Sequence, residues 1–548
     1  MQVNRFKTDF AANIFRQKYA QGNNDTWDAL AERLVEDVCG SRGGTVQPIM
    51  STEDRGQLTE YIKRMLFLPG GRYLYYAGRK AKFYNNCYLL RSEEDTREDW
   101  AETAWKATNC LTTGGGIGND YSRLREQGRP LSRTGGVSSG PIPLMSAINE
   151  IGRSVMQGGS RRSAIYASLN WLHGDISAFL KVKNWSDEIK AAKAKDFNFP
   201  AMLDMTNISV NYDDKWLYNA DRANLHTFQE NCRQAMMTGE PGFSFNFGDK
   251  QNETLRNACT EVTSEDDSDV CNLGSINLGN ISSLEEFKNV VCLASKFLVC
   301  GTLRADLPYQ KVYDVRQKNR RLGLGLMGIH EWLLKRKANY EVTPELHEWL
   351  KVYKDESKRA ADEHCDHLYI SHPVAYRAIA PTGSLSILAG TTSGIEPLFA
   401  VAYKRRYLTE GTKWKYEYVV DATASLLINN FDLDPDKIDT AHDLCNKFEQ
   451  RIKFQADIQD YVDMSISSTV NLPEWGSQYN NPDLVKSFAE TLAIYAPRLR
   501  GVTFYPDGSR GGQPLTSVPY KEAMKHKGVV YSENDICVIS GKGGTCSA

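Results

Sequence analysis

The chain has 548 residues, 41% hydrophobic and 24% charged, with a formal net charge of −2. That length suits one large core or a large domain with small additions, and the near-neutral charge excludes a general basic field for nucleic acid or a polybasic membrane patch. No apolar run approaches the ~18 residues a membrane span needs, and the opening stretch MQVNRFKTDFAANIFRQKYA has no signal-peptide core, so a soluble cytoplasmic protein is expected.

In chain order, residues from about 10 to 65 read as short amphipathic helices, with Trp27, Leu30, Leu34 and Val38 on one face. Leu144, Ile148, Ile151 and Val155 repeat at helical spacing and lead into Gly158-Gly159. Further on, short apolar runs alternate with helical patterns. They include 242–247 (GFSFNF), 378–380 (AIA) and 501–505 (GVTFY), and they predict an α/β architecture with buried strands. From Gly528 the chain carries Gly541, Gly543 and Gly544 with few apolar residues and reads as a mobile tail. No repeat or Pro/Ser-rich linker divides the chain.

Twelve cysteines in a large chain with no Cys-x-x-Cys pair argue against a zinc ribbon and leave long-range thiol chemistry open. Asn257-Ala258-Cys259-Thr260-Glu261 sets an amide, a thiol and a carboxylate at alternate positions, which in extended backbone project to one side. A buried cysteine in a polar loop is the bland alternative. Cys271 opens a strand-like run twelve residues on, and Cys87 lies far upstream in Asn85-Asn86-Cys87-Tyr88. Pro381-Thr382-Gly383-Ser384 follows a short strand at Tyr376–Ala380 and opens a helix-compatible run. It reads as an anion site or a plain N-cap. Two patterns are set aside. Gly323-x-Gly325-x-x-Gly328 follows a charged run and not a buried strand, and His364, Cys365, His367 and His372 lack a second ligand group.

Together these segments resemble the class I and class II ribonucleotide reductase catalytic subunit. The likeness continues through 113–118 (TGGGIG), 157–162 (QGGSRR), 320–325 (RRLGLG), 380–384 (APTGS), 393–397 (SGIEP) and 501–505, in the family's order over roughly residues 65 to 515. It implies a ten-stranded α/β barrel in two five-stranded parallel halves with a central finger loop. The expected division is an N-terminal helical region at 1–65, the barrel at 66–525 and a redox tail at 526–548. It also implies a compact form without the ATP-cone domain of many relatives.

Carried over by residue, Cys259 matches the transient thiyl radical, Glu261 the base for the 3′-hydroxyl, and Asn257 the amide that bonds the sugar. Cys87 and Cys271 match the pair that reduces substrate and ends as a disulfide. Pro381, Thr382, Gly383 and Ser384 match the phosphate site. Asn86 stands where the family commonly has Ser. Glu94 or Asp95 matches the effector ribose contact, the spacing fitting the first and the residue type the second. Arg125 and Arg133 match effector phosphate contacts, and Gln157, Gly158, Gly159, Ser160 and Arg161 match a specificity loop. Cys537 and Cys546 match the tail pair recycled by thioredoxin or glutaredoxin.

Tyr505 matches the tyrosine nearest the reactive cysteine, with Pro506 where class I has a second tyrosine. The resemblance therefore implies adenosylcobalamin as radical source, with a radical delivered by a separate ferritin-like metal subunit as the alternative. It further implies a ribonucleoside di- or triphosphate substrate, a dNTP or ATP effector, a homodimer, and no nucleic-acid or membrane partner. Rival readings are a non-catalytic nucleotide-binding regulator, which needs none of the three cysteines, and a protein thiol oxidoreductase, which needs no phosphate loop.

Overall fold

The computed structural model describes residues 5–41, 48–133, 135–155, 163–196, 198–409, 413–509, 515–526 and 529–532. The first three helices are α1 (Asp9–Lys18), α2 (Trp27–Cys39) and α3 (Thr52–Lys63). Thr8, Thr26 and Ser51 cap them, each hydroxyl accepting a first-turn backbone N–H. The predicted face of α2 is buried: Trp27, Leu30, Leu34 and Val38 join one apolar core with Phe67, Ile276, Phe297, Leu326 and Trp332. The helices are thus built onto the sheet and have no separate core.

Five strands run parallel in sequence order: β1 (Cys87–Arg91), β2 (Gly116–Asp120), β3 (Ile165–Asn170), β4 (Thr206–Tyr212) and β5 (Gly242–Phe245). The second half starts with β6 (Asp269–Asn277) parallel to β7 (Leu322–Met327), and ends with β8 (Thr469–Leu472) parallel to β9 (Gly501–Pro506). Between them residues 377–379 form parallel bridges, Leu324 to Arg377 and Ile379 to Ile466. The strand expected at Tyr376–Ala380 is therefore a bridged segment and not a full ladder. The halves meet at two antiparallel seams, β1 with β6 and β5 with β9, which close the ring. This is the expected pair of five-membered parallel halves. β1, β2 and β7 are buried along their whole length, as parallel strands covered by helices must be.

Gly323 and Gly325 lie inside β7, not in a phosphate turn. A Cβ on Gly325 would stand 2.7 Å from the Ala378 carbonyl, so this glycine lets the bridged segment approach.

Two features depart from the sequence reading. Ala402–Thr409 pairs antiparallel with Lys413–Val420, and the two strands are flanked by Leu515–Ser517 and Val530–Ser532 in a separate four-stranded sheet. Within the stretch expected as a tail from 526, Val530–Ser532 pairs with Lys415–Glu417. A β-branched residue followed by an aromatic one favours that edge pairing. Among the described residues no helix is long and apolar enough to cross a membrane.

Candidate active site

A short hairpin enters the ring between β5 and β6. Leu255–Arg256 pairs antiparallel with Thr263–Ser264, and residues 257–262 form its tip. Glycines of β2 make room for it. A Cβ on Gly118 would lie 1.7 Å from the Arg256 carbonyl oxygen, and one on Gly116 would lie 3.1 Å from Ala258 Cβ.

The Arg256 guanidinium anchors the hairpin to the β5–β9 seam. It donates to Ser244 Oγ at 3.1 Å, Phe245 O at 3.3 Å, Asn246 Oδ1 at 2.8 Å and Arg500 O at 2.7 Å. Complete burial, together with the neighbouring Arg500 charge, pushes its pKa down to about 9, so it stays cationic at neutral pH.

The tip is not extended, as the alternate spacing predicted. Thr260 has φ +70°, and its N–H bonds the Asn257 carbonyl at 3.0 Å. Within the ring no neighbouring strand offers this segment a ladder, so its backbone is satisfied by turning on itself. The turn nonetheless gathers the three side chains. Asn257 Nδ2 donates to Cys87 Sγ at 2.9 Å, and its Oδ1 accepts from Val262 N at 2.9 Å. Glu261 is buried, its carbonyl accepts from Ser465 N at 2.8 Å, and its Oε2 has no hydrogen-bond partner among the described residues. Burial raises the Glu261 pKa to about 7, against the lowering pull of the Asn257 hydrogen bond.

Cys87, Cys259 and Glu261 line one cavity with Asn86, Pro381, Thr382, Gly383 and Ser384. Cys271 enters by backbone register: it lies directly opposite Cys87 across the antiparallel seam. Directly opposed residues have Cα atoms about 4.5–5.5 Å apart, inside the span a disulfide bridges. The buried hydrogen bond from Asn85 Nδ2 to Asn272 Oδ1, 2.7 Å, fastens the two strands beside that pair.

The segment Pro381–Ser384 opens the helix Gly383–Ala389. Thr382, at φ +51°, precedes the first turn without capping it, and its hydroxyl instead accepts from Gly394 N at 2.9 Å. A Cβ on Gly383 would meet nothing within 4 Å, so this turn faces open space. Glu396 ties the supporting 393–397 segment to β8 by accepting from Thr469 N at 2.8 Å, and it pairs with the buried Arg451. Asn86 Oδ1 accepts from Arg72 N at 3.3 Å.

Away from the cavity, Asp95 (φ +49°) accepts from Arg125 Nε at 2.6 Å, whereas the Glu94 backbone N–H bonds Asp99 Oδ2 at 3.1 Å. Arg133 is exposed on the following loop. Tyr505 lines a different cleft, of about 580 Å³, with Phe399, Asn446, Asn471, Tyr479 and Thr516. Gln157, Gly158, Gly159, Ser160, Arg161, Cys537 and Cys546 lie outside the described residues. Of the histidines set aside above, His364 contacts Cys300 Sγ at 3.4 Å and stacks on His367 with ring centroids 6.5 Å apart, and His372 contacts Asp366 at 2.7 Å.

Sequence reasoning missed Tyr19, Arg72 and Ser275, which also line the cavity, and the anchor Arg256. Only the paired glycines before Arg72 hinted at close packing there; Gly70 sits against the Asn86 amide.

The site is a ten-membered barrel that holds a cysteine-tipped finger, with two cysteines opposed across its seam. The family described as "Ribonucleotide reductase, barrel domain" matches residues 85–216, 202–348 and 373–496, and the chain belongs to it. The "Vitamin B12-dependent ribonucleoside-diphosphate reductase" of Mycobacterium tuberculosis is 26% identical over 592 residues, covering 95% of this chain and 82% of that protein. The protein of the same description from Thermoplasma acidophilum is 27% identical, covering 84% of this chain and 66% of its own length. The crystal structure of a B-12 dependent (class II) ribonucleotide reductase superposes with a TM-score of 0.69 at 16% identity, covering 94% of this chain and 93% of that one.

Proposed function

We propose that the chain reduces ribonucleoside diphosphates to 2′-deoxyribonucleotides with adenosylcobalamin as radical source. The observation that carries this reading is the meeting of Cys259 and Glu261 with Cys87 on one cavity, while Cys271 faces Cys87 across the seam. The diphosphate substrate and the cofactor are those of the relatives from Mycobacterium tuberculosis and Thermoplasma acidophilum.

When bound, adenosylcobalamin supplies the oxidising equivalent that converts the Cys259 thiol to a thiyl radical. Its corrin, an apolar face edged with amide arms, asks for aromatic walls and hydrogen-bonding side chains. The cleft beside Tyr505 fits that demand: Phe399 and Tyr479 would pack against it, and Asn446, Asn471 and Thr516 would bond its amides.

The remaining steps belong to the chain. Cys259 takes the 3′-hydrogen of the ribose, and Glu261 takes the 3′-hydroxyl proton as the 2′-hydroxyl leaves with a proton as water. Asn257 orients the sugar. Cys87 and Cys271 deliver two electrons and two protons, one proton leaving in the water and one ending on the 2′ carbon, and become a disulfide. Glu261 returns its proton to the 3′-oxygen, and Cys259 returns the hydrogen to the 3′ carbon of the product and is a thiyl again. Pro381, Thr382, Gly383 and Ser384 hold the phosphates. Cys537 and Cys546 reduce the disulfide by exchange and pass it to thioredoxin or glutaredoxin. A dNTP or ATP effector binds at Asp95, Arg125 and Arg133 with the 157–161 loop, in a homodimer.

The test is turnover of CDP by the purified chain with adenosylcobalamin and dithiothreitol. Formation of dCDP is expected, and its absence with cofactor, CDP and reductant all present would overturn the reading.

A further inference from the structure

The cavity has a wall from outside the barrel. Helix α1 lies along the helix Gly383–Ala389 and grips both of its ends: Lys7 Nζ donates to Gly390 O at 3.0 Å, and Lys18 Nζ donates to Ser384 Oγ at 3.4 Å. The next residue, Tyr19, is buried and lines the cavity together with Ser384. The exposed Lys18 ammonium therefore stands beside Ser384, whose turn lines the cavity.

That this space receives a ligand has support independent of the helix start. Glu261 is 1% exposed and lines the same cavity, and its Oε2 has no hydrogen-bond partner among the described residues. A buried carboxyl oxygen left without a partner is costly unless a bound molecule supplies a donor.

Resting on the reading above, we infer that Lys18 is a specificity-determining residue that pairs with the terminal phosphate of the substrate. The residues of the 381–384 turn carry no positive side chain, so they offer only neutral donors. The outermost phosphate of a diphosphate bears the most charge, and an ammonium already bonded to Ser384 Oγ meets it without rearrangement of the turn. The N-terminal helix thereby tells nucleoside diphosphate from monophosphate. Lys7, two residues before the start of α1, holds that end of the helix in place, being paired with Gly390 O and the buried Glu331.

Equilibrium binding of CDP and CMP to the full chain, alongside dCDP formation, tests this. For Lys18→Met, CDP affinity should fall about fivefold while CMP affinity stays within about twofold, the scale of a solvent-exposed charge pair. Lys18→Arg should restore CDP binding. Lys7→Met, which loosens α1 at the far end, should leave the CDP-to-CMP ratio at the wild-type value. Equal losses for both nucleotides in Lys18→Met, or no loss for either, would overturn the assignment while wild-type turnover stands. A wild-type chain that forms no dCDP would instead remove the functional reading and this one with it.

Discussion

Asn257 donates a hydrogen bond from Nδ2 to Cys87 Sγ at 2.9 Å, joining residues 170 positions apart in the chain. The same amide accepts from Val262 N through Oδ1, so one side chain fixes both the turn of the finger and the first thiol of the seam pair. Removing it releases the two together. Asn257→Ala should lower kcat/KM for CDP tenfold to a hundredfold, corresponding to about 1.5–3 kcal/mol for a bond of this kind, measured as initial rates of dCDP formation.

Glu261 gives a pH dependence of definite sign. Its carboxyl is held up at about 7, so below that pH it is mostly protonated and does not accept the 3′-hydroxyl proton. The rate should rise with pH through about 7 and level off above it. Glu261→Gln should remove most of the activity and flatten that limb. Stability should run the opposite way. A carboxyl whose folded pKa is raised favours the folded state fully below its unfolded pKa, and that contribution is lost as pH climbs through the folded value. Thermal melts from pH 5 to 8 should show a fall in Tm that is smaller in Glu261→Gln.

Gly118 permits the close approach of the finger. A methyl group there meets the Arg256 carbonyl at 1.7 Å, backbone against backbone, so no side-chain rotation relieves it. Gly118→Ala should cost about 1–3 kcal/mol of stability and displace the tip, lowering kcat far more than Tm. A variant with wild-type kcat would show that finger position does not govern turnover.

Arg256 holds the root of the same hairpin with four hydrogen bonds from a fully buried guanidinium. Arg256→Met keeps the volume but strands those acceptors, and each buried unsatisfied group costs about 1–3 kcal/mol. A marked drop in Tm is expected by calorimetry.

How much of this the sequence discloses depends on the range of the interaction. The helical face of Trp27, Leu30, Leu34 and Val38 is a local periodicity, and it appears in the structure as written. Buried apolar runs alternating with helices announce an α/β architecture, whereas its two parallel halves are what the family resemblance implies, and 377–379 contributes only bridges. The grouping of Asn257, Cys259 and Glu261 is visible in the spacing, but the backbone that achieves it is a turn, because whether a segment has a ladder partner is a property of the ring and not of the segment. Gly118 and Arg256 give no local signal: their roles exist only where β2, β5, β9 and the finger meet. Tyr19 and Lys18 sit on an ordinary amphipathic helix, and only the docking of α1 brings them to the cavity. Val530–Ser532 was hidden by the glycine-rich context that follows it.

The most direct test of the central claim is a single turnover without external reductant. A pre-reduced chain carrying Cys537→Ser and Cys546→Ser, which cannot pass its disulfide to the tail, is mixed with adenosylcobalamin and CDP. Product is then counted and cysteine linkages are mapped by peptide mass. About one dCDP per chain is predicted, with the Cys87 and Cys271 peptides joined, and none when Cys259→Ser is added. Product formed without a Cys87–Cys271 linkage, or formed equally by the Cys259→Ser chain, would contradict the account.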